Sequence, residues 1–339
     1  SQIVHYTNVD NSLVNNDVNS IIEDRWGKLW FATNNGISCW DVANDRWESF
    51  YHNKQKQAQV FLSLCEDDQG RIWAGTYSSG VYVLDGFTGA ELGHYPQDRN
   101  EDSMVSDFII DIYKDTEGDI WLGGVNGELL CYLSRDNKFR SYSRQSINAL
   151  GQLEPDKMLL GCIYGLSLLD KNTGEIEPLL LGSLIYDILT LGDDIWICTS
   201  GDGLIKYNYR SGNTETFTTQ SGLPSNFINS VMYDEGFLWI GTENGMCRLD
   251  LSDNSVLTYD SIFSLSIPSF NRGSHCKLKS GQLAWGTNNG AVLFNPISIG
   301  VMSHSGKIYF NDLFFSGRSV RDIPSFELNT SVDNLSNID

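Results

Sequence analysis

Hydrophobic and polar positions recur along the chain as variants of one phrase, in which two apolar runs flank a Gly-containing turn. Five copies keep a Trp in the first run: GKLWFATNNGISCWD, GRIWAGTYSSGVYVLD, GDIWLGGVNGELLCY, DIWICTSGDGLIKY and GFLWIGTENGMCRLD. Two degenerate copies, DKMLLGCIYGLSLLD and GQLAWGTNNGAVLFN, carry Leu and Ala there. The equivalent positions are Trp30, Trp73, Trp121, Leu159, Trp196, Trp239 and Ala284. Their spacing, about 37 to 48 residues, is typical of propeller blades.

Each copy predicts four strands. An apolar run upstream of the Trp, such as VNSIIED or FIIDIYKD, predicts an inner strand buried on both faces. The Trp strand and the third strand flank a turn that is often Asn-Gly, a hairpin signal that favours positive φ at both central residues. The outer strands are DRWESFYH, NKFRSYS, TETFTTQ and SVLTYDS. Helical spacing is nowhere sustained for three turns. Seven copies of four strands predict an all-β, seven-bladed β-propeller over residues 1–300.

The two ends of this repeat region predict how the ring closes. No outer strand of the usual form follows the seventh copy at Asn295-Pro296, whereas QIVHYT near the N-terminus is an outer strand without a blade of its own. We therefore expect Gln2 to Thr7 to supply the fourth strand of the last blade, which leaves no open sheet edge at the junction.

Residues 301–339 differ in character from the repeats. GKIYFNDLFFSGRSV alternates apolar and polar residues like the strands of a sandwich and lacks the Trp phrase. This segment is predicted to be the incomplete start of a following β-sandwich domain, because so few residues cannot build a core of their own.

Charge and composition exclude several functions. The formal net charge of −20 repels nucleic acid and anionic membrane, so neither is expected to bind this segment. No apolar stretch approaches the roughly 18 residues of a membrane span. The seven cysteines lie mostly inside apolar runs and are predicted to be buried thiols rather than metal ligands or disulfide partners.

The repeat phrase, as in EDDQGRIWAGTYSSGVYVLD, resembles the propeller repeats in extracytoplasmic sensor regions of bacterial two-component regulators, notably the hybrid sensor histidine kinases of Bacteroides. IYFNDLFFSGRSV is similar to the lead-in of the immunoglobulin-like domain that follows the propeller in those sensors. The resemblance implies a periplasmic input domain of an inner-membrane sensor kinase. It also implies that the rest of the kinase chain is a partner, that the ligand is an oligosaccharide, and that glycan-utilisation genes are controlled.

No catalytic, metal or cofactor constellation is predicted. The chain lacks HExxH, P-loop and GxSxG motifs, and its five histidines show no metal-ligand spacing. His275, alone on an inner strand, is expected to be structural. Asp24, Asp67 and Asp115 lie in acidic turns without the alternating ligands of a calcium loop. They are expected to cap their own hairpins through Asx-turn hydrogen bonds.

Propeller topology predicts where a ligand would bind. Loops from outer to inner strands and turns between second and third strands gather on one face, around the mouth of the central channel. The candidate ligand-binding residues there are Asn35, Tyr77, Asn126, Tyr164, Asp202, Asn244 and Asn289, with Arg272 near the start of the last inner strand. Amides, carboxylates and aromatic rings suit sugar hydroxyls and sugar faces. The asparagines alternatively serve only their turns, whereas Tyr77, Tyr164 and Arg272 have no turn role.

Two other classes of function stay open. The propeller alternatively acts as a protein-interaction or dimerisation scaffold, with a second copy of the chain as a candidate partner and the ligand site elsewhere. A propeller lyase or glycosidase needs a His or a carboxylate pair converging at the mouth, and the sequence shows only scattered Asp there.

The tryptophans divide into two groups. Those at the recurring position are predicted to pack between blades. The four outside that register are expected to be freer to be exposed: Trp26, Trp40, Trp47 and Trp285.

Overall fold

The computed structural model describes residues 13–51, 59–95, 106–125, 129–143, 145–259 and 269–297, and the backbone alone of 4–6, 314–315 and 318–319. The strands within these ranges include seven four-stranded antiparallel sheets. In six of them the four strands follow one another in chain order, as in a propeller blade. The predicted seven-bladed β-propeller is confirmed.

The blades are numbered along the chain. Blade 1 comprises β2 (Val18–Glu23), β3 (Leu29–Thr33), β4 (Gly36–Asp41) and β5 (Arg46–Phe50). Blade 2 comprises β6 (Phe61–Glu66), β7 (Arg71–Thr76), β8 (Val81–Asp85) and β9 (Glu91–Tyr95). Blade 3 comprises β10 (Ile109–Lys114), β11 (Ile120–Gly124), β12 (Leu129–Leu133) and β13 (Lys138–Ser143). Blade 4 comprises β14 (Ala149–Glu154), β15 (Lys157–Cys162), β16 (Gly165–Asp170) and β17 (Ile176–Leu181).

The last three blades complete the ring. Blade 5 comprises β18 (Ile185–Leu191), β19 (Asp194–Thr199), β20 (Leu204–Asn208) and β21 (Thr214–Phe217). Blade 6 comprises β22 (Ile228–Asp234), β23 (Phe237–Thr242), β24 (Gly245–Asp250) and β25 (Val256–Thr258). Blade 7 comprises β26 (Phe270–Lys277), β27 (Leu283–Thr287), β28 (Gly290–Phe294) and the N-terminal strand β1 (Val4–Tyr6).

The N-terminal strand closes blade 7. Strand β1 pairs antiparallel with β28, with Val4 opposite Leu293 and Tyr6 opposite Ala291. The predicted closure by a strand within Gln2 to Thr7 is therefore confirmed. Because the first and last segments of the repeat region share one sheet, blade 7 joins the two ends of the ring.

Beyond blade 7 the chain contains one short hairpin among the described residues. Strands β29 (Phe314–Phe315) and β30 (Arg318–Ser319) form a two-stranded hairpin. The predicted start of a sandwich domain over 301–339 otherwise lies outside the described residues.

The second strand of each blade, rather than the inner strand, is buried on both faces. Every residue of β3, β11 and β27 is buried. The inner strands β2 and β10 instead have only two buried positions each, three residues apart, and their other positions are half-buried or exposed. The prediction was therefore wrong for β2 and β10, because one face of these strands borders the central channel, but it holds for most of β22 in blade 6, which does not line the cavity.

The recurring Trp position packs between blades, as predicted. Trp73 of blade 2 is fully buried, and its ring centroid lies 4.9 Å from that of Tyr132 in blade 3. Trp239 of blade 6 similarly lies 5.1 Å from Phe294 of blade 7. The Gly two residues after Trp73 permits this close approach. A Cβ on Gly75 would lie 2.7 Å from Ile109 Cγ2 in the next blade.

The tryptophans outside the register behave differently from one another. Trp26 is 49% exposed, as expected, and Trp47 is half-buried. Trp40 and Trp285 are buried, which contradicts the expectation of exposure. Trp285 directly follows Ala284, so its side chain points to the opposite face of β27 from the recurring position. Both faces of β27 are buried, and the repeat register describes only one of them.

Among the described residues the only helix is a 3₁₀ turn at Thr219–Ser221. No helix in this part of the chain is long and apolar enough to cross a membrane.

Candidate functional site

A threonine hydroxyl and a glycine build the turns between the second and third strands. Thr33 Oγ1 donates to the carbonyl of Gly36 at 2.8 Å and accepts the backbone N–H of Asn35 at 3.1 Å. Gly36 has φ +94°, whereas Asn35 is not among the residues with positive φ. Positive φ at both central residues was therefore a wrong prediction, because the left-handed conformation falls on the Gly that starts the third strand. Thr242 and Thr287 make the same contacts in blades 6 and 7.

These turns lie on the face where the chain enters each inner strand. The N–H of Gly36 donates to the carbonyl of Gln59 at 2.8 Å, and that of Tyr77 donates to Val60 at 3.0 Å. The N–H of Gly203 likewise donates to Asn226, just before blade 6 begins. We call this surface the mouth face. It gathers both sets of loops, as propeller topology predicts.

The structure places the candidate ligand-binding residues as follows. Those that lie in turns on the mouth face are Asn35, Tyr77, Tyr164, Asp202, Asn244 and Asn289. Asn126 lies outside the described residues. Arg272 lies within β26, and of this set it alone lines the central cavity. Tyr77, Tyr164 and Arg272 are therefore not brought into one pocket.

Two tyrosines present their rings to solvent on the mouth face. The side chain of Tyr164 is 74% exposed and that of Tyr77 is 56% exposed. The Tyr77 ring rests against Phe108, with centroids 4.8 Å apart. Leu181, 80% exposed, ends the outer strand of blade 4, and the next residue donates its N–H to the Tyr164 carbonyl. Flat apolar surface is thus available beside the polar turns.

The opposite face carries the turns between first and second strands, where aspartates cap the hairpins as predicted. Asp67 Oδ1 accepts the N–H groups of Gln69 and Arg71, both at 2.9 Å. Its Oδ2 accepts the indole N–H of Trp73 at 2.9 Å. Asp24 and Asp115 repeat both contacts with their own turns and tryptophans. The recurring Asp therefore joins each turn to the buried Trp.

One cluster of three carboxylates on this face resembles a metal site, but two of them bind a lysine ammonium. Carboxylate oxygens of Asp115, Glu117 and Asp119 lie within 4.8 Å of one another. The Lys171 ammonium lies 2.6 Å from Asp115 Oδ2 and 2.7 Å from Glu117 Oε2. Burial lowers the pKa of Lys171, but these hydrogen bonds outweigh it and the net change is upward. Lys171 therefore provides the positive charge for this group.

The inner strands surround a central cavity of about 240 Å³. Its lining comes from blades 1 to 5 and blade 7. Much of that lining is aliphatic, and its polar side chains include Asp111, Asp187, Arg272, His275 and Asn148. Of these residues, Arg272 is predicted from the sequence to bind a ligand and His275 to be structural.

A long insertion in blade 7 carries Arg272 and leads directly into His275. Four residues between Phe270 and His275 face a single residue of β27, whereas β18 has an insertion of one residue. His275 Nε2 lies 2.6 Å from Asp187 Oδ2 in blade 5. Blade 7 therefore contacts blade 5 directly, although blade 6 lies between them in the ring.

Arg272 makes the second link of this bridge. Its Cζ lies 3.8 Å from the ring centroid of Tyr186, also in blade 5, and Arg272 itself is exposed. The guanidinium is therefore at the rim of the cavity, stacked on an aromatic ring.

Asp111 and Asp187 also connect neighbouring inner strands. Asp111 Oδ2 accepts the N–H of Leu150 at 2.8 Å, and Asp187 Oδ2 accepts that of Val231 at 3.1 Å. Burial raises the pKa of Asp111 to about 7, and the negative charge of Asp187 contributes to the rise. A group with this pKa exchanges a proton near neutral pH.

A pattern in the sequence marks the positions of these two carboxylates. Aligning the inner strands places Asp111 and Asp187 where other blades carry Ser, as in VNSII, FLSLC and INSVM beside IIDIY and IYDIL. In blade 1 the N–H of Leu64 donates to Ser20 Oγ at 3.2 Å, which is the neutral form of the same contact. The structure brings His275 and Asp187 together in the channel, a contact that the sequence did not predict.

Comparisons with known proteins agree with this architecture. The family model of the two component regulator propeller matches residues 12–35, 55–78 and 222–244. A curated histidine kinase of Formosa agariphila is 27% identical over 336 residues, an alignment covering 90% of this chain and 24% of that protein. The chain thus spans about a quarter of that relative's length.

Several solved structures share the fold. The extracellular domain of a putative hybrid two component system from B. thetaiotaomicron matches with a TM-score of 0.70 at 18% identity, over 86% of this chain and 39% of that one. A catalytically inactive virginiamycin B lyase from Staphylococcus aureus matches with a TM-score of 0.67 at 15% identity, over 86% and 97% of the two chains. At these identities the structural matches establish the fold and not an activity. The three matched segments are similar to the two component regulator propeller, and the repeated phrase and the seven closed blades agree with that similarity.

Proposed function

We propose that this propeller is the non-catalytic, extracytoplasmic ligand-sensing domain of a sensor histidine kinase and that it recognises an oligosaccharide. Two comparisons support the proposal: the structural match to an extracellular domain of a putative hybrid two component system, and the similarity to a histidine kinase about four times longer than the alignment. In the proposed role, the remainder of a longer chain carries the kinase and controls genes for glycan utilisation.

The observation that carries the sugar proposal is the pair of exposed rings on the mouth face. Tyr77 and Tyr164 are exposed although burial of aromatic rings is strongly favourable, and they stand beside turns rich in amide and carboxylate groups. An oligosaccharide needs apolar platforms for its ring faces and hydrogen-bonding groups for its hydroxyls. Asp202 in the blade 5 turn, which accepts a hydrogen bond from Ser183, and Asn244 in the blade 6 turn offer such groups on the same face.

The test is a thermal-shift screen against neutral and acidic oligosaccharides, followed by calorimetry on any sugar that binds. A ligand at about 100 times its dissociation constant adds about 2.7 kcal/mol, which raises the melting temperature by several degrees. The double substitution Tyr77→Ala and Tyr164→Ala is expected to abolish the shift without lowering the melting temperature of the free protein.

The matched control is Phe87→Ala, because the Phe87 ring is 71% exposed but lies in a turn on the opposite face. It should bind the sugar like the unaltered chain. Equal affinity in the double variant would rule out the mouth-face site, and a screen without any binding sugar would contradict oligosaccharide recognition by this propeller. Recovery of the sugar chemically unchanged after long incubation checks that the domain binds without catalysis.

A second candidate function, dimerisation, is favoured by an aromatic patch on the opposite face. The exposed rings of Trp26 and Phe87 meet edge to face with centroids 5.9 Å apart. Lys28 Nζ lies 5.8 Å and 5.7 Å from their centroids and donates to the Phe87 carbonyl. A second copy of the chain is the proposed partner.

Sedimentation at increasing concentration tests this candidate. Self-association that is lost in Trp26→Ala and retained in Tyr77→Ala would support a dimer formed by this patch. A monomer at all concentrations, or a dimer that is indifferent to Trp26, would exclude it.

A further inference from the structure

Asp111 is the carboxylate of the central cavity that lacks a cationic partner among the described residues. One oxygen accepts the N–H of Leu150, and no described Lys, Arg or His forms an ion pair with it. Asp187, the other carboxylate in the lining, has His275 at 2.6 Å. Asp111 is half-buried in the cavity lining, where a carboxylate without a counter-charge is costly to keep ionised, so a bound cation would stabilise its charged form.

The surroundings of Asp111 come from several blades. The titratable groups that affect it or are affected by it are Cys65 of β6, Tyr113 of its own strand, Asp187 of β18 and His275 of β26. His275 is held by Asp187, and the Arg272 guanidinium stacks on Tyr186 at the rim. Within the described part of the chain, Asp111 is therefore the cavity carboxylate without an ion-pair partner.

We propose that the central cavity binds a small hydroxylated molecule carrying a protonated primary amine, with the ammonium group hydrogen-bonded to the carboxylate of Asp111. This site is independent of the oligosaccharide recognition proposed for the mouth face. The net charge of −20 attracts cations to the protein and favours an amine over an anion as the occupant.

The rest of the lining fits the remainder of such a ligand. A volume of about 240 Å³ suits a molecule of a few carbon atoms rather than a chain of sugars. Asn148 Nδ2 is buried and has no hydrogen-bond partner within the described part of the chain, so it is a donor available to a ligand hydroxyl. Arg272, exposed at the rim, is placed to contact the end of the ligand nearest the opening.

The experiment compares two linear polyols of the same length that differ in one group. Glucamine carries a primary amine and sorbitol carries a hydroxyl at that position. Calorimetry and thermal shift on the whole chain at pH 8 are expected to show binding of glucamine and at least about tenfold weaker binding of sorbitol, since a hydrogen bond to a charged group contributes about 1.5–3 kcal/mol.

Variants then assign the contact to Asp111. Asp111→Asn keeps an oxygen for the Leu150 N–H but removes the charge, and it is expected to weaken glucamine binding about 10- to 100-fold. Glu243→Gln removes one exposed carboxylate from a mouth-face turn and should leave the affinity unchanged, as should the double substitution Tyr77→Ala and Tyr164→Ala.

Three results would overturn the proposal. These are no binding of glucamine, equal binding of glucamine and sorbitol, and unchanged glucamine affinity in folded Asp111→Asn. The comparison of the two polyols uses the unaltered chain, so it decides the matter even where the variant fails to fold. If the unaltered chain binds glucamine but no oligosaccharide, the proposed function is contradicted and the proposal for the central cavity stands.

Discussion

At the residue scale, Asp111 lowers the stability of the fold when its carboxyl group is ionised. Its carboxyl lies in a cavity and near a second carboxylate, and both effects favour the neutral acid. The folded state therefore binds a proton at Asp111 more tightly than the unfolded chain, where the pKa is close to 3.8. Ionisation of this group consequently opposes folding.

The sign of this effect gives a prediction for Asp111→Asn. The favourable contribution of protonated Asp111 is complete below about pH 4 and is lost as the pH rises toward the folded-state pKa of about 7. The variant should therefore be more stable than the unaltered chain by about 4 kcal/mol at pH 8, with the difference vanishing near pH 4. Urea denaturation from pH 4 to 8 measures it. Glu243→Gln, at an exposed position, is the control, and a difference that shrinks with rising pH would be inconsistent with the assigned shift.

The cysteines give a second prediction at this scale. All seven are free; Cys39, Cys131, Cys198 and Cys247 are buried and the other three are half-buried, which confirms the expected thiols in part. Burial raises the pKa of Cys39 and Cys65 to about 12 and that of Cys162 and Cys276 to about 11. Because the thiolate is the reactive form, we expect negligible reaction with a thiol-specific reagent in the native state at pH 8 and seven reacting thiols in denaturant. Rapid labelling of the native protein would contradict this burial.

The hairpin between the first and second strands is the element in which the recurring Asp acts. Asp67 is 2% exposed and joins two backbone N–H groups, the Trp73 indole and the Arg71 guanidinium. Its neighbour Asp68 pairs with Lys114 while its own side chain is 64% exposed. Two adjacent aspartates therefore differ in role within a single turn.

Alanine substitution should separate these roles. Asp67→Ala leaves several buried donors unpaired and is expected to lower the free energy of unfolding by about 2–4 kcal/mol. Asp68→Ala removes only an exposed ion pair and should change it by less than about 1 kcal/mol. Urea denaturation of both variants provides the measurement, and equal losses would show that the turn aspartate has no special function.

The closure of the ring is a property of the whole molecule. Strand β1 covers the edge of β28, whose residues Val292 and Leu293 are buried. Deleting residues 1–8 would expose that backbone edge and break the ring at blade 7.

We therefore expect the deletion to lower the melting temperature by more than about 5 °C. Addition of a peptide containing residues 1–8 should restore part of the loss, because the strand can pair with β28 from a separate chain. An unchanged melting temperature would refute the closure, and a loss that the peptide does not relieve would assign the effect to another cause.

At the scale of the whole molecule the sequence predicted the blade count, the strand order and the closing strand. The blade count and the strand order depend on signals that lie within one blade: the Trp phrase, the Gly turn and the alternation of apolar runs. The closing strand was predicted by comparing the two ends of the repeat region. Topology then placed the Thr–Gly turns on one face, so the mouth-face position of Tyr77 and Tyr164 was predictable too. The burial of the inner strands was not, because their exposure depends on a channel that exists only when all seven blades are assembled.

What the sequence by itself determined about this protein is therefore its repeat architecture, since hydrogen-bonded turns and neighbouring strands are encoded within some forty residues. Only the tertiary structure decided the composition of the central cavity. His275 and Asp187 are 88 residues apart and lie in blades that are not neighbours, and they meet because the blade 7 insertion crosses the channel. The raised pKa of Asp111 has the same origin, because its burial and its proximity to the charge of Asp187 both require the assembled ring.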